Sequence, residues 1–463
     1  MAVLSTKERP SLLAHDLWMA WRSLRRTPVL SALMIATLAV GITASMIAVT
    51  LYHARSGQPI RWKDHKLYAV MLDPRGLGSG KPSGRHPEYP PWQLTYRDAQ
   101  ALYASDIPVR SVMMYQASQV VTPSRDEVKP FGAKVRVTTA DFFGAFDVPF
   151  QFGSGWPREA DNAPEAVAVI SKFMNAKLFG GENSVGREVV LGGHTYRVIG
   201  VIGAWMPRPK YYDPNSSAFD IPEDVYIPFG WMQALKLESS GSVACVRPAK
   251  LGGFESLLEA ECVWFQFWVE FRQPSDRDRY QLFVDNYTDE WRKRGRFPRA
   301  NNNRIVDVPT LLTMRDVVGD ESRLQVVLGL TFLAVCVLNA LGLLLVKFLR
   351  VAPSTGLRRA LGASRLDIVR QHLVEVTVIG MLGGAVAFIA SLCGLAALRI
   401  WLFGPMQSDS DDPQISALVR SFVHIDLSMI ALGVGLSLLA GVLAGLYPAL
   451  KFSRVAPATF LKT

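Results

Sequence analysis

Four stretches of the chain, residues 29–52, 324–346, 376–398 and 427–450, contain no Asp, Glu, Lys or Arg, and each is 23 or 24 residues long. At about 1.5 Å of rise per residue, each as a helix exceeds a hydrocarbon core of roughly 30 Å. A buried core helix is the competing reading for any one of them. Four such runs, bounded by charges such as Arg323 and Lys347 or Asp426 and Lys451, point instead to a membrane. Composition agrees: of 463 residues, 49% are hydrophobic and only 19% charged, too apolar for a disordered chain and too poor in charge for an ordinary soluble enzyme.

The short segments fix an expected orientation, because Lys and Arg concentrate on the cytoplasmic side. Residues 1–28 carry Lys7, Arg9, Arg22, Arg25 and Arg26; residues 347–372 carry six basic residues; the tail 451–463 carries Lys451, Arg454 and Lys462. The loop 399–426 has two, Arg399 and Arg420, against Asp409, Asp411, Asp412 and Asp426. Both termini and the 347–372 loop are therefore expected in the cytoplasm, and residues 53–322 outside. That large segment is nearly neutral, so the net charge of +10 reflects topology and not a nucleic-acid surface. The first apolar run is too long for a signal peptide and reads as an uncleaved anchor. Ahead of it, residues 13–26 form an amphipathic pattern, with Leu13, Leu17, Trp21 and Leu24 on one face and His15, Arg22, Arg25 and Arg26 opposite. The pattern suits a helix lying in the lipid interface, with a solvated juxtamembrane helix as the alternative, and Pro28 opens the span.

Outside the spans the segment mixes strand and helix patterns. Residues 166–170, 188–191 and 195–202 read as strands, the last two joined by a Gly192-Gly193 hairpin turn. Residues 97–104, 171–179 and 278–294 read as helices, and 263–271, 278–294 and 304–308 give a strand, helix, strand order. Residues 239–253 and 301–303 read as loops.

No catalytic constellation is visible. The stretch Gly76 to Lys81 imitates a phosphate loop, but Arg75 stands where the first Gly belongs and Pro82 where Ser or Thr should follow. Neither HExxH nor GxSxG occurs, and the seven His are scattered, so no metal site is expected. Cys336 and Cys393 lie in spans as small apolar residues. Cys245 and Cys262 are the external pair; an oxidising compartment would permit a disulfide between them, and two free thiols are the alternative.

The segment between the second and third spans carries the most specific pattern. Pro353 is expected to end the helix leaving the second span, a short amphipathic helix to run over 356–361, and Gly362 to cap it. Ser364 and Asp367 then make a capping-box pattern that opens the next helix. The result is a helical elbow with Arg358 and Arg359 at its tip, a knob that a cytosolic partner can push; a plain basic anchor explains the arginines but not the Gly-Ala-Ser corner. Within the spans, Gly380 with Gly384 and Gly441 with Gly445 form GxxxG pairs that permit close helix approach. Asn339 is expected to hydrogen-bond another helix. The absence of a charge deep in any span argues against proton or ion coupling.

The elbow GLRRALGASRLDIVRQHLVE and the ending GLYPALKFSRVAPATFLK resemble the coupling segment and terminal span of the MacB/FtsX-like permeases, the membrane subunits of mechanotransmitting ABC transporters. The external VTTADFFGAF, APEAVAVISKFMNAKLFGG, NSVGREVVLGGHTYRVIGVIG and VYIPF resemble their periplasmic core domain in order and spacing. The resemblance covers nearly the whole chain. It implies four transmembrane helices in a bacterial inner membrane, with a large mixed α/β extracytoplasmic domain inserted between the first and second spans. In residue numbers the expected plan is a cytoplasmic amphipathic helix 1–28, spans at 29–52, 323–346, 373–398 and 427–450, and a periplasmic domain at 53–322. Within that domain a porter-like part, about 53–115 and 260–322, encloses a β-rich part, about 116–259. An elbow at 347–372, a periplasmic loop at 399–426 and a tail at 451–463 complete it.

The same resemblance places Leu357, Arg358, Arg359, Leu361 and Gly362 on or beside the coupling helix. It implies a cytosolic ABC ATPase partner that holds the ATP and Mg, a second permease as homodimer or heterodimer, contact with membrane lipid, and a periplasmic adaptor with an outer-membrane duct as further partners. Ser354 and Thr355 depart from the acid and apolar residue usual before the Gly-Leu-Arg run. The expected function is export of a peptide, antibiotic or other amphipathic molecule, with no catalytic activity in this chain. The alternative is a non-transporting subunit that regulates a periplasmic hydrolase or receptor.

Overall fold

The computed structural model describes residues 12–75, 88–123, 129–246, 253–317, 320–360, 364–408 and 427–453. The helices from the two ends of the chain form one compact unit, and Arg55–Val318 forms the body of the other. The first unit opens with α1 (Leu12–Arg26) and α2 (Pro28–Ser56), separated only by Thr27. Proline costs nothing at a first helical position, where the amide has no partner in any case.

The second unit is a twelve-stranded sheet with helices between its strands. Its chain order begins β1 (Leu67–Met71), β2 (Leu94–Thr95), α3 (Tyr96–Tyr103), β3 (Arg110–Thr122), β4 (Phe131–Thr138), α4 (Asp141–Ala145) and β5 (Phe150–Gly153). It continues with β6 (Val167–Ile170), α5 (Lys172–Phe179), β7 (Glu188–Leu191), β8 (His194–Ile202), β9 (Val225–Pro228), α6 (Trp231–Ala234) and β10 (Ala244–Cys245). It ends with α7 (Phe254–Glu259), β11 (Cys262–Glu270), α8 (Pro274–Lys293), β12 (Arg304–Asp307) and α9 (Val308–Met314). Gly192 and Gly193 turn β7 into β8 with φ of 58° and 83°, a backbone that favours glycine. Side chains on helix caps set the boundaries: Thr95 and Ser171 accept from the amides of Asp98 and Met174 to start α3 and α5. The expected loop 239–253 contains one short strand, β10, drawn into the sheet by its pairing with β11.

The main strand order is β12-β1-β11-β3-β4-β9-β6-β8-β5. Alternate residues of the central strands enter two different apolar clusters, Met113, Tyr115, Phe267 and Val269 in one, Val112, Met114 and Trp268 in the other. That period of two shows both faces of the sheet covered, which is why β11 reads as an unbroken apolar run. The strand β3 is shared: Arg110 to Met114 pair with β11, and Met114 to Val121 pair with β4. The expected division near residue 115 therefore falls inside a single strand.

The chain returns to the helical unit with α10 (Asp320–Ala360), α11 (Arg365–Ser408) and α12 (Leu427–Ser453). Among the described residues three segments are long and apolar enough to cross a membrane: Pro28–His53, Arg323–Arg350 and Leu366–Ala397. In α12 the strongly apolar described stretch is the shorter Ala431–Leu443. Pro353 does not end a helix, contrary to expectation: α10 runs through it to Ala360, and no separate helix starts at residue 356. Proline removes one hydrogen bond to the residue four positions earlier, and the helix formers Leu357, Arg358, Arg359 and Ala360 on its far side carry the helix on.

Candidate coupling site

The base of the helical unit is where α10 leaves and α11 returns. Ser364 starts α11 as a capping box: its hydroxyl accepts from the Asp367 amide at 3.1 Å, and the Asp367 carboxylate accepts from the Ser364 amide at 3.2 Å. Of the expected coupling residues, Leu357, Arg358 and Arg359 lie on the last turn of α10, while Leu361 and Gly362 lie outside the described residues. So does the 76–81 stretch.

Behind the elbow sits a polar cluster that charge counting missed. Lys347 Nζ of α10 stands 2.6 Å from Glu375 Oε1 of α11, and both side chains are buried. The same carboxylate oxygen accepts from Ser23 Oγ of α1 at 2.5 Å, and Lys347 Nζ also reaches Ser31 Oγ of α2 at 3.3 Å. His372 Nδ1 lies 3.7 Å from Glu375 Oε2, and its ring packs on Phe348. One carboxylate thus joins α1, α10 and α11, and one ammonium adds α2. Read along the sequence, Lys347 follows the uncharged run 324–346 and Glu375 directly precedes the uncharged run 376–398. The signal that could have paired them is their similar distance from the elbow on two antiparallel helices.

The two GxxxG motifs meet each other. A Cβ placed on Gly380 would lie 3.0 Å from Ser437 O and 3.3 Å from Gly441 Cα, and one on Gly384 would lie 2.6 Å from Ser437 Cβ. Gly445 faces Val376 in the same way, at 2.6 Å from Cγ1. These contacts bring α11 and α12 together at backbone distance. Asn339 does not do what was expected of it. It is exposed on α10 and forms no hydrogen bond among the described residues, because the packed stripe of α10 runs through Leu333, Cys336, Ala340 and Leu344, and Asn339 falls one residue to the outer side of it.

In the sheet unit Cys245 and Cys262 are bonded; they stand directly opposite each other on β10 and β11. No group of three or more His, Cys, Asp or Glu that could hold a metal occurs among the described residues. Among the described residues the buried charges there form several structural networks that the sequence did not reveal, Arg296 with Asp98 and Glu261 among them. Arg136 on β4 pairs with Asp213 at 2.5 Å and with Glu223, Lys210 pairs with Glu223 at 2.8 Å, and Tyr212 OH donates to Glu223 at 2.9 Å. Burial alone would raise the Glu223 carboxyl, but Arg136 and Lys210 outweigh it and hold the group well below the usual range. Another network centres on Asp161, which accepts from the Ala140 amide at 2.9 Å and from Trp156 Nε1 at 3.1 Å. Burial dominates there and pushes its pKa up to about 6.

Membrane-length apolar helices together with a separate α/β unit carried between α2 and α10 define a membrane protein with a large extramembranous domain. The chain belongs to the MacB/FtsX-like family of ABC permeases: residues 31–280 match the MacB-like periplasmic core domain and residues 326–457 the FtsX-like permease C-terminal region. It is therefore a membrane-embedded permease with a periplasmic domain. It is 24% identical over 452 residues to the macrolide export ATP-binding/permease protein MacB of Rhodopirellula baltica, a match that covers 95% of this chain and 61% of that protein. It is 23% identical over 378 residues to the pyoverdine export ATP-binding/permease protein PvdT of Pseudomonas aeruginosa, covering 80% of this chain and 48% of that one. The chain thus spans about half to three fifths of the length of these curated relatives. Among solved structures, the periplasmic region of MacB from Actinobacillus actinomycetemcomitans aligns with a TM-score of 0.36 and 13% identity, over 56% of this chain and 96% of that one.

Proposed function

We propose that the chain is the permease subunit of an ATP-driven exporter, in which a separate cytosolic ATPase, holding ATP and Mg, moves the elbow and the helices carry that motion to the periplasmic domain. The observation that carries this reading is the unbroken α10, which runs from the membrane-length segment Arg323–Arg350 on to Ala360 beside the elbow. A continuous helix passes an axial push along its whole length, whereas a helix broken at Pro353 would absorb it. The relatives named for macrolide and pyoverdine export support an amphipathic cargo. The proposal includes a fourth span at α12, both termini in the cytoplasm, a second permease in the assembly, and no hydrolysis by this chain alone. An adaptor and an outer-membrane duct fit the same scheme.

The test is co-purification with a candidate ATPase and stimulated ATP hydrolysis. If Arg358 and Arg359 only anchor the loop by charge, Arg358→Lys with Arg359→Lys is silent. If they dock the ATPase through forked hydrogen bonds worth about 1.5 to 3 kcal/mol each, the Lys pair weakens assembly by roughly tenfold or more. Leu361→Asp is expected to do similar damage. Unchanged assembly and turnover in both variants would remove the elbow from the mechanism and favour a regulator of a periplasmic hydrolase or receptor. Single cysteines at Ser216 and Thr463, probed with an impermeant thiol reagent on intact cells, test the topology: labelling of the second but not the first inverts it.

A further inference from the structure

The helix α1 has one face committed and one face open. Ala20 and Leu24 are buried, and Ser23 donates to Glu375, so this face is fixed on α11. Beginning just beside Leu24 and turning away from α11, the rest of the circumference leaves Leu17, Trp21 and Trp18 at 51%, 50% and 56% exposure. Arg22 lies over the Trp18 ring at 5.3 Å, and Arg25 over the Trp21 ring at 5.1 Å. At roughly 100° of rotation per residue, the open arc runs in the order Leu17, Trp21, Arg25, Trp18, Arg22, Arg26. It therefore begins apolar at Leu17, interleaves the two tryptophans with Arg25, and ends cationic at Arg22 and Arg26. Only Thr27 separates α1 from the span that opens at Pro28, so this graded face is held at the membrane surface by the covalent chain.

We propose that this face is a binding site for anionic phospholipid headgroups, with Arg22 and Arg25 holding the phosphate and Trp18 and Trp21 lying at the boundary between headgroup and acyl chain. The inference rests on α2 spanning a membrane and not on the export reading. Charge selects the occupant. Along α1 the sequence sets three arginines, Arg22, Arg25 and Arg26, against one acid, Asp16, and the exposed arc from Leu17 to Arg26 carries only the arginines as charged residues, so an anionic occupant complements it. A guanidinium stacked on an indole keeps its edge N–H groups free, and these match phosphate oxygens in a fork. Indole rings favour the interfacial layer for the same mixed reason, an apolar body with one polar N–H. Because Ser23 ties the helix to the Lys347–Glu375 pair, a bound headgroup also loads the joint between α10 and α11.

Native mass spectrometry of the purified full chain, released from detergent with added phosphatidylglycerol or phosphatidylcholine, tests the proposal. Wild type is expected to retain phosphatidylglycerol in preference to phosphatidylcholine. Arg22→Gln with Arg25→Gln should lower retention by roughly fivefold for each arginine removed, the loss of one basic residue at an anionic surface. Arg22→Lys with Arg25→Lys should keep most of it, and Lys129→Gln with Arg197→Gln, the same charge change on the sheet unit, should keep all of it. Equal retention of the two lipids by wild type, retention of neither, or an unchanged Gln pair would each overturn the assignment. The last result would leave the open face to a protein partner.

Discussion

Lys347 and Glu375 form an ion pair 2.6 Å apart in which neither side chain exposes more than 4% of its surface, and the carboxylate is shared with Ser23 of another helix. Removing one partner strands the other charge, which costs about 3–5 kcal/mol, whereas replacing both with apolar residues of similar size is close to neutral. Glu375→Ala is therefore expected to destabilise the helical unit strongly, and Lys347→Met with Glu375→Leu to recover most of the loss. Unfolding in mixed detergent, followed by circular dichroism at helical wavelengths, reads the difference. Equal stability of the single and double variants would show that the pair is not coupled.

The sheet unit carries the same logic at Arg136. Arg136→Met removes the cation that pairs with both Glu223 and Asp213, and a loss of about 3–5 kcal/mol is expected in denaturant unfolding followed by tryptophan fluorescence. The arginine also sets the acid response. Burial would raise both carboxyls, yet their cationic neighbours hold both below their ordinary values. Their contribution is complete above the unfolded carboxylate range, near pH 4, and fades only as the pH falls through the lowered folded values.

Asp161 has the opposite sign. Its folded pKa of about 6 lies above the unfolded 3.8, so the folded state binds the proton more tightly, and stability from this group falls as pH rises from about 4 to 6 and then levels. Between pH 4.5 and 7.5 wild type should lose about 2 kcal/mol relative to Asp161→Asn, whose amide oxygen still accepts from the Ala140 amide and the Trp156 indole. Parallel pH profiles for the two proteins would rule this out.

Gly380 is the position where added bulk would meet backbone, which cannot rotate aside as a side chain can. Gly380→Val would press on Ser437 O and Gly441 Cα, and overpacking of this kind costs about 1–3 kcal/mol. Gly435→Ala, which meets nothing within 4 Å, should be silent. The same detergent titration compares them. A tolerated valine would mean that α11 and α12 separate freely.

What the sequence disclosed was local. Apolar length found three membrane-length helices; short strand-like runs found β6, β7 and β8; the Gly192-Gly193 turn and the Ser364–Asp367 box could be read within four residues of chain. What it hid depends on partners far apart. Arg136, Asp213 and Glu223 each look like ordinary surface charges until the sheet buries them together, and Lys347 looks like a membrane flank until Glu375 arrives. Pro353 misled for a related reason: its local cost is real, but the helix that flanks it on both sides, from Asp320 and on to Ala360, outweighs it. Asn339 was legible as a polar residue in a span, while the face on which it sits is set by which neighbouring residues pack, and that no local window shows.

The shared strand β3 has a mechanical meaning. Its first half is stitched to β11 and its second to β4, with Met114 paired on both sides. Bending the two halves against each other would have to shear hydrogen bonds along a continuous backbone, with no loop in between to take up the strain. The link from β11 to β4 is therefore a single unbroken strand and not a hinge loop, so the two parts of the sheet share one backbone.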